Sequence, residues 1–322
     1  VSWPRVSVVI PTRDRPDCLA EAVASVLRQS HPVSEVIVVD DASRDPDATR
    51  SAVGDDPRVH LIRNDRSLGG GGTRNLGVAS ATGDLVAFLD DDDLWHPKKL
   101  ECQVAALAGS ADWQRTLVYC ALQVRGRAGE IRLPAQGIGA EEDVGDYLWR
   151  RGGWMQTSSL LLPRKLAAEI SFRPELAAHQ DWDFVIRLAA AGVAFVFLPE
   201  PLVIYRDDHA GARISRRPDP QASLEWLESV RSLISPAAYR AFRARRAPLL
   251  ARDRPLSALT AIGAAVRHGE LDPLRAARLL AAFAVAFVSP VAYRALPPMR
   301  LRGAQRRVLS SSPQPSSTHL RS

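Results

Sequence analysis

Leu85-Val86-Ala87-Phe88-Leu89-Asp90-Asp91-Asp92-Asp93-Leu94-Trp95-His96-Pro97 is the stretch that decides what this chain folds into. Its apolar opening suits a buried strand, and four aspartates follow without a break. Adjacent carboxylates at a strand end repel one another and are hard to bury unpaired. The fold must either leave them in water or give them a cation. Their oxygens suit Mg²⁺ or Mn²⁺, ions that commonly bridge one or two protein carboxylates to the phosphates of a substrate. A nucleotide is therefore the first partner implied, against the plainer alternative of a solvated acidic turn.

On the amino-terminal side of this stretch, apolar strands alternate with helical segments. Residues 6–10 and 36–39 read as strands, the second ending at Asp40-Asp41. Residues 19–27 carry Leu19, Ala22, Val23, Val26 and Leu27 at helical spacing, and a polar helix is expected within 47–53. A strand at 59–62 precedes a flexible close-approach loop at Gly69-Gly70-Gly71-Gly72 and a helix over 73–79. This βαβα series predicts an α/β fold, a mostly parallel central sheet with helices on both faces. Ligands of such sheets gather outside the carboxyl ends of the strands. Pro11-Thr12, Asp40-Asp41 and the four aspartates all fall on that edge.

The carboxyl-terminal side is less regular. Strands are expected at 117–124, 158–162, 193–197 and 202–205, with a loop-rich region at 126–139 and a helix at 182–190. Residues 1–218 are expected to form the catalytic domain and 219–309 a helical region, with helices at 222–234, 237–250, 256–266 and 273–288. Residues 310–322, rich in Ser and Pro, read as a disordered tail.

Composition narrows the function classes. With 322 residues, 46% of them apolar, the chain can bury a large core. The basic residues are nearly all arginines and are spread along the chain, with no zinc-finger spacing and no RNA-binding aromatic signature, which argues against a nucleic-acid partner. Cys18, Cys102 and Cys120 are too widely spaced for a CxxC pair and are expected as buried thiols of a reducing, cytoplasmic compartment. No secretory leader is expected, because residues 6–10 run directly into polar Thr12-Arg13-Asp14-Arg15. The apolar segment 279–288 is too short to span a bilayer. Flanked by Arg275, Arg278 and Arg294, it suits either a core helix or a basic anchor at the inner membrane surface.

Candidate site residues follow from chemistry. Pro11, Thr12 and Arg13 end the first strand, where backbone groups and a hydroxyl can meet a base or ribose, and Asp14 suits a helix cap. Asp41 can accept the imide N–H of a uracil or thymine ring, while Asp40 holds the loop. The glycines fit neither GxxxxGK[ST] nor GxGxxG, but Arg74, just beyond them, can contact a base, ribose or diphosphate. Asp93 suits a helix cap, and Trp95 suits the core or a sugar platform.

Blocks 6–15, 36–43, 69–77, 88–97 and 180–188 together resemble, in order, family 2 glycosyltransferases of the GT-A fold. The resemblance covers roughly residues 4–215. It implies inverting transfer of a sugar from a nucleotide diphosphate donor to an acceptor hydroxyl, usually with Mn²⁺ or Mg²⁺. Asp90 and Asp92 become the ends of a DxD motif with Asp91 between them: Asp92 on the metal, Asp90 on ribose or metal-bound water. Asp181 in Gln180-Asp181-Trp182-Asp183 matches the catalytic base, with Gln180 in place of the usual glutamate. Trp154, Met155, Gln156 and Trp182 are expected along the acceptor cleft, and His209 at the metal or diphosphate. A non-catalytic nucleotide-sugar-binding protein is the main competing reading, and the intact Asp181 argues against it.

Overall fold

The computed structural model describes residues 4–126, 129–206, 219–251 and 253–288. Along the chain these form β1 (Val6–Thr12), α1 (Pro16–Leu27), β2 (Glu35–Asp40), α2 (Pro46–Val53), β3 (Val59–Arg63), α3 (Gly69–Ser80) and β4 (Leu85–Phe88). Then come β5 (Asp93–Trp95), α4 (Lys99–Ala108), β6 (Thr116–Gly126), β7 (Gly129–Leu133), α5 (Val144–Trp149), β8 (Leu161–Pro163), α6 (Arg164–Ile170), α7 (Gln180–Ala190) and β9 (Ala194–Arg206). Helices α8 (Pro220–Ser229), α9 (Pro236–Arg246), α10 (Pro255–Arg267) and α11 (Pro273–Val288) follow. Six of these helices open on proline, whose missing N–H is one that a helix start leaves unpaired anyway.

The strands form one sheet in the order β3-β2-β1-β4-β8-β6-β9-β5, with β7 pairing to β6. Strands β1 to β4 are mutually parallel, and β6 runs parallel to β9, whereas β5, β7 and β8 run the opposite way. The sheet is thus mostly parallel, as expected. Its apolar runs are continuous because both faces are covered. Along β1, Val8 and Ile10 enter one core while Val9 enters the other, and all three are fully buried.

Several local expectations need correction. The four glycines are not a flexible loop: they form the first turn of α3, which lies against the backbone of residues 173–174. A Cβ added at Gly71 would stand 2.7 Å from the Arg173 carbonyl oxygen, and Gly69 adopts a φ of 69°. Residues 126–139 hold a hairpin strand, β7, rather than loop alone. The two strands expected at 193–197 and 202–205 are one long strand, β9, whose pairing with β6 slips near Cys120 and Ala121. Residues 93–95 form the short strand β5. Neither Asp14 nor Asp93 caps a helix: α1 and α4 have no side-chain cap, and Asp14 instead accepts from the Arg44 N–H at 2.8 Å. Cys120 is buried, but Cys18 and Cys102 are part-exposed.

The start of the helical region shares the main core. Trp226, Leu227, Val230, Ala238, Ala241 and Phe242 pack in the same cluster as Phe88, Phe184 and Ile186. A separate small core joins Ala258, Ile262 and Ala265 of α10 to Leu279 of α11. The expected boundary at 218 and the tail at 310–322 lie outside the described residues. No helix among the described residues is long and apolar enough to cross a membrane.

Candidate active site

Parallel register brings the ends of β1, β2 and β4 to one edge. Thr12 pairs in register with Asp40, the Asp41 N–H donates to the Thr12 carbonyl at 2.9 Å, and the Leu89 N–H donates to the Val9 carbonyl at 3.0 Å. Asp40 holds its loop as expected, accepting from the Ser43 N–H at 2.9 Å and from Arg63 at 2.5 Å. Asp41 organises the segment before α3. One carboxylate oxygen accepts from Asn64 Nδ2 at 3.0 Å and the Leu68 N–H at 2.7 Å, the other from Ser67 Oγ at 2.6 Å and the Gly69 N–H at 3.1 Å. Burial pushes the Asp41 carboxyl up, but these donors outweigh it and hold the group below the usual carboxylate range. Arg13, exposed, reaches the same segment through Ser67 Oγ at 2.9 Å, and Pro11 is part-exposed beside it.

The four aspartates form a tight turn, closed by the Asp93 N–H donating to the Asp90 carbonyl at 3.0 Å. Each side chain meets different surroundings. Asp90 accepts from Arg74 at 2.5 Å and from Gln156 Nε2 at 2.9 Å. Asp91, buried, accepts from Thr12 Oγ1 at 2.8 Å and from Arg15 at 3.0 Å. Burial pushes the Asp91 carboxyl up to about 6, against the opposing pull of Arg15. Asp92 accepts from the same Arg15 at 2.9 Å, and its backbone carbonyl accepts from Arg206 at 2.9 Å. Asp93 is fully buried and accepts from Gln156 Nε2 at 2.9 Å and Ser158 Oγ at 2.8 Å. Trp95 belongs to the core, with its indole N–H on the Ser158 carbonyl at 2.9 Å and the Lys99 ammonium 3.9 Å from its ring centre.

A third segment arrives from far along the chain. Arg74 donates to Gln180 Oε1 at 2.8 Å as well as to Asp90, so one guanidinium ties the aspartate turn to the start of α7. Gln180 in turn donates to the Leu176 carbonyl at 2.6 Å. This gives a physical reason for an amide at the position, since a glutamate oxygen there would face a carbonyl oxygen. Asp181 follows, with the Trp182 N–H at 2.9 Å. Burial pushes its carboxyl up to about 6; the neighbouring Asp90 charge adds to that, while the Trp182 N–H and Arg74 oppose it. Asp183 is a structural acid, fully buried between Arg187 at 2.7 Å and the Trp226 indole N–H at 3.0 Å.

The expected acceptor residues separate by depth. Met155 is fully buried in the core, and Gln156 is buried beneath Asp90 and Asp93, so neither offers an open side-chain surface. Trp154 is part-exposed and packs edge-on against Tyr205, 5.0 Å between ring centres. Trp182, also part-exposed, stacks on His179 at 5.1 Å and joins a cluster with Trp149, Trp226 and Phe242. His209 lies outside the described residues. Three participants were not singled out from sequence: Arg15, Ser158 and Arg206. Arg15 stands in the polar run after the first strand, but only the fold brings it to Asp91 and Asp92.

The donor set at the turn is made of carboxylate oxygens, which fits a hard divalent ion. Among the described residues no three acidic, His or Cys side chains converge as a ready cage. Such a set fits Mn²⁺ or Mg²⁺ held by one or two carboxylates, with water and substrate phosphate completing the shell.

Residues 7–125 match Glycosyl transferase family 2. The amylovoran biosynthesis glycosyltransferase AmsB of Erwinia amylovora is 31% identical over 257 residues, spanning 76% of this chain and 83% of that protein. The chain belongs to glycosyl transferase family 2. Another relative of this family 2 chain is the Escherichia coli UDP-Glc:alpha-D-GlcNAc-diphosphoundecaprenol beta-1,3-glucosyltransferase WfgD. It is 33% identical over 102 residues, covering 32% of this chain and 40% of that protein. Among solved structures, S. aureus TarS in complex with UDP-GlcNAc superposes with a TM-score of 0.59 at 17% identity, over 90% of this chain and 89% of that one. The Pyrobaculum calidifontis mannosyltransferase PcManGT, in complex with GDP-Man and Mn²⁺, gives 0.55 at 20% identity, over 94% and 85%. At these identities the structural likeness carries the GT-A fold of this family 2 chain.

Proposed function

We propose that this chain is an inverting glycosyltransferase that moves a sugar from a nucleotide diphosphate sugar, of the UDP or dTDP type, to an acceptor hydroxyl. The observation that carries the proposal is the Arg74 tie between Asp90 and Gln180, which sets Asp181 within electrostatic reach of the aspartate turn. A base beside a charge-neutralising centre is what single displacement at a sugar carbon requires. In this reading residues 1–218 carry the chemistry, and the helices described over 219–288 belong to an extension of that domain.

Thr12, Arg13 and Pro11 line the edge where the nucleoside is received. Asp41 reads the pyrimidine imide N–H by displacing the Ser67 hydroxyl, a side-chain donor that can rotate away. Arg74 positions the donor with Asp90 and Asp91. Asp92, with His209, would hold Mn²⁺ or Mg²⁺, which supplies neutralisation of the departing diphosphate when bound. Asp181 takes the acceptor's proton as that oxygen forms its bond to the anomeric carbon, opposite the breaking bond to phosphate. A carboxyl poised near 6 is well matched to this, ionised at neutral pH yet more basic than an ordinary aspartate. Trp182 and Trp154 offer the part-exposed faces on which an acceptor can rest.

The test is transfer from a panel of nucleotide sugars with Mn²⁺ present and varied acceptors, with the anomeric configuration of donor and product read by NMR. Inversion is expected. Retention would overturn the mechanism, and binding of nucleotide sugars without any transfer would make the chain a binding protein.

A further inference from the structure

Beyond the sugar-transfer site, helices α10 and α11 pose a separate physical question. After Arg278, α11 runs ten residues, 279–288, without a charge. Only one row of the helix is buried, Ala276, Leu279, Ala282 and Ala286, and Leu279 enters the small core with Phe283 packed against it. The outward positions are also apolar. Leu274 is 61% exposed, Phe287 50% and Val288 78%, with Leu280 exposed between them. The neighbouring helix repeats the pattern, since Ala258, Ile262 and Ala265 point inward while Leu256, Leu259 and Val266 are exposed at helical spacing. A surface helix normally turns a charged or polar face to water, so an apolar outer face on two adjacent helices calls for a covering partner.

The charge distribution says which partner. Residues 289–322 contain six arginines, Arg294, Arg300, Arg302, Arg306, Arg307 and Arg321, and no acidic residue. Those six equal the whole excess of +6 in the chain, so everything before residue 289 is formally neutral. All of the net charge thus follows directly on the apolar helix. An anionic lipid surface complements both features, taking apolar side chains below its headgroups and arginines among them. We infer that the outer face of α10 and α11 seats on an anionic membrane surface, with the arginines that follow α11 engaging the headgroups.

The experiment is flotation of the full chain with vesicles of phosphatidylcholine alone and of phosphatidylcholine mixed with phosphatidylglycerol. Binding is expected only to the mixed vesicles, weakening as salt is raised because the arginine contribution is screened. Replacing Leu280→Asp together with Phe287→Asp should lower partitioning by about tenfold or more while the chain stays folded in a thermal melt, since both side chains lie outside the buried row of α11. Replacing Arg300→Gln, Arg302→Gln, Arg306→Gln and Arg307→Gln should lower it by at least about tenfold and flatten the salt dependence, without touching either helix. Equal binding to neutral vesicles, no binding to either kind, or unchanged binding by both variants would overturn the inference. So would light scattering that finds a dimer which the Leu280→Asp, Phe287→Asp variant dissociates. None of these readouts depends on sugar transfer, so the proposed activity can fail without deciding this question.

Discussion

Asp41, just beyond the end of β2, and Asp181, in the first turn of α7, have carboxyls shifted in opposite directions. At Asp41 burial is outweighed by four donors from residues 64–69, and the carboxyl sits below its ordinary range. At Asp181 burial dominates, the Asp90 charge reinforces it, and one backbone N–H with Arg74 opposes it, so the carboxyl rises to about 6. Environments that push two carboxyls apart separate their roles. The fixed, permanently ionised group is suited to binding, and the poorly solvated one to taking a proton.

The contrast can be broken most forcefully at Asp181. Asp181→Asn preserves size but removes the proton acceptor, and transfer is expected to fall by roughly 10²–10⁴-fold with donor affinity retained. Comparing calorimetric donor binding with transfer rate in one folded preparation checks this; loss of both together would point to a structural role for the α7 start. Asp92→Asn should act on the other region. The Mn²⁺-dependent increment of nucleotide diphosphate binding should fall by more than the roughly 10–100-fold that loss of an outer-shell partner brings. An undiminished increment in titrations with and without Mn²⁺ would move the metal away from Asp92. A smaller effect is expected at the joint between the regions. Gly71→Ala puts a methyl 2.7 Å from the Arg173 carbonyl oxygen and should cost about 1–3 kcal/mol of stability in urea unfolding. Unchanged stability would mean that α3 can shift away from residues 173–174.

The two regions also differ in how far sequence exposes them. The β1 to β4 side was legible because each strand is a mainly apolar run ended by a polar signal, and parallel register automatically places those ends together. Asp40's loop-holding role was legible for the same local reason. The other side depends on contacts across distant segments. Arg74 meets Gln180 across 106 positions, and Gln156 reaches Asp90 across 66. Nothing in the local pattern of Trp154-Met155-Gln156 distinguishes a core side chain from a cleft-lining one, and so Met155, expected along the acceptor cleft, is instead fully buried in the core. The glycine run was legible as a place of close approach but not as the first turn of a helix. Glycines signal a bend when read alone, but here their lack of a side chain lets a helix approach foreign backbone.

The central claim, that Asp181 is the base and that its surroundings tune it, is tested most directly by the pH dependence of kcat/KM for transfer. The base must be ionised, so activity should be full above the raised value and fall as pH drops through about 6. Asp91 is also raised to about 6, so the comparison that decides is with Asp181→Asn. The account predicts an ascending limb near pH 6 in the unaltered protein and its disappearance from the residual activity of the variant. A limb that persists unchanged in Asp181→Asn, or a flat profile from pH 5 to 8 in the unaltered protein, would contradict it.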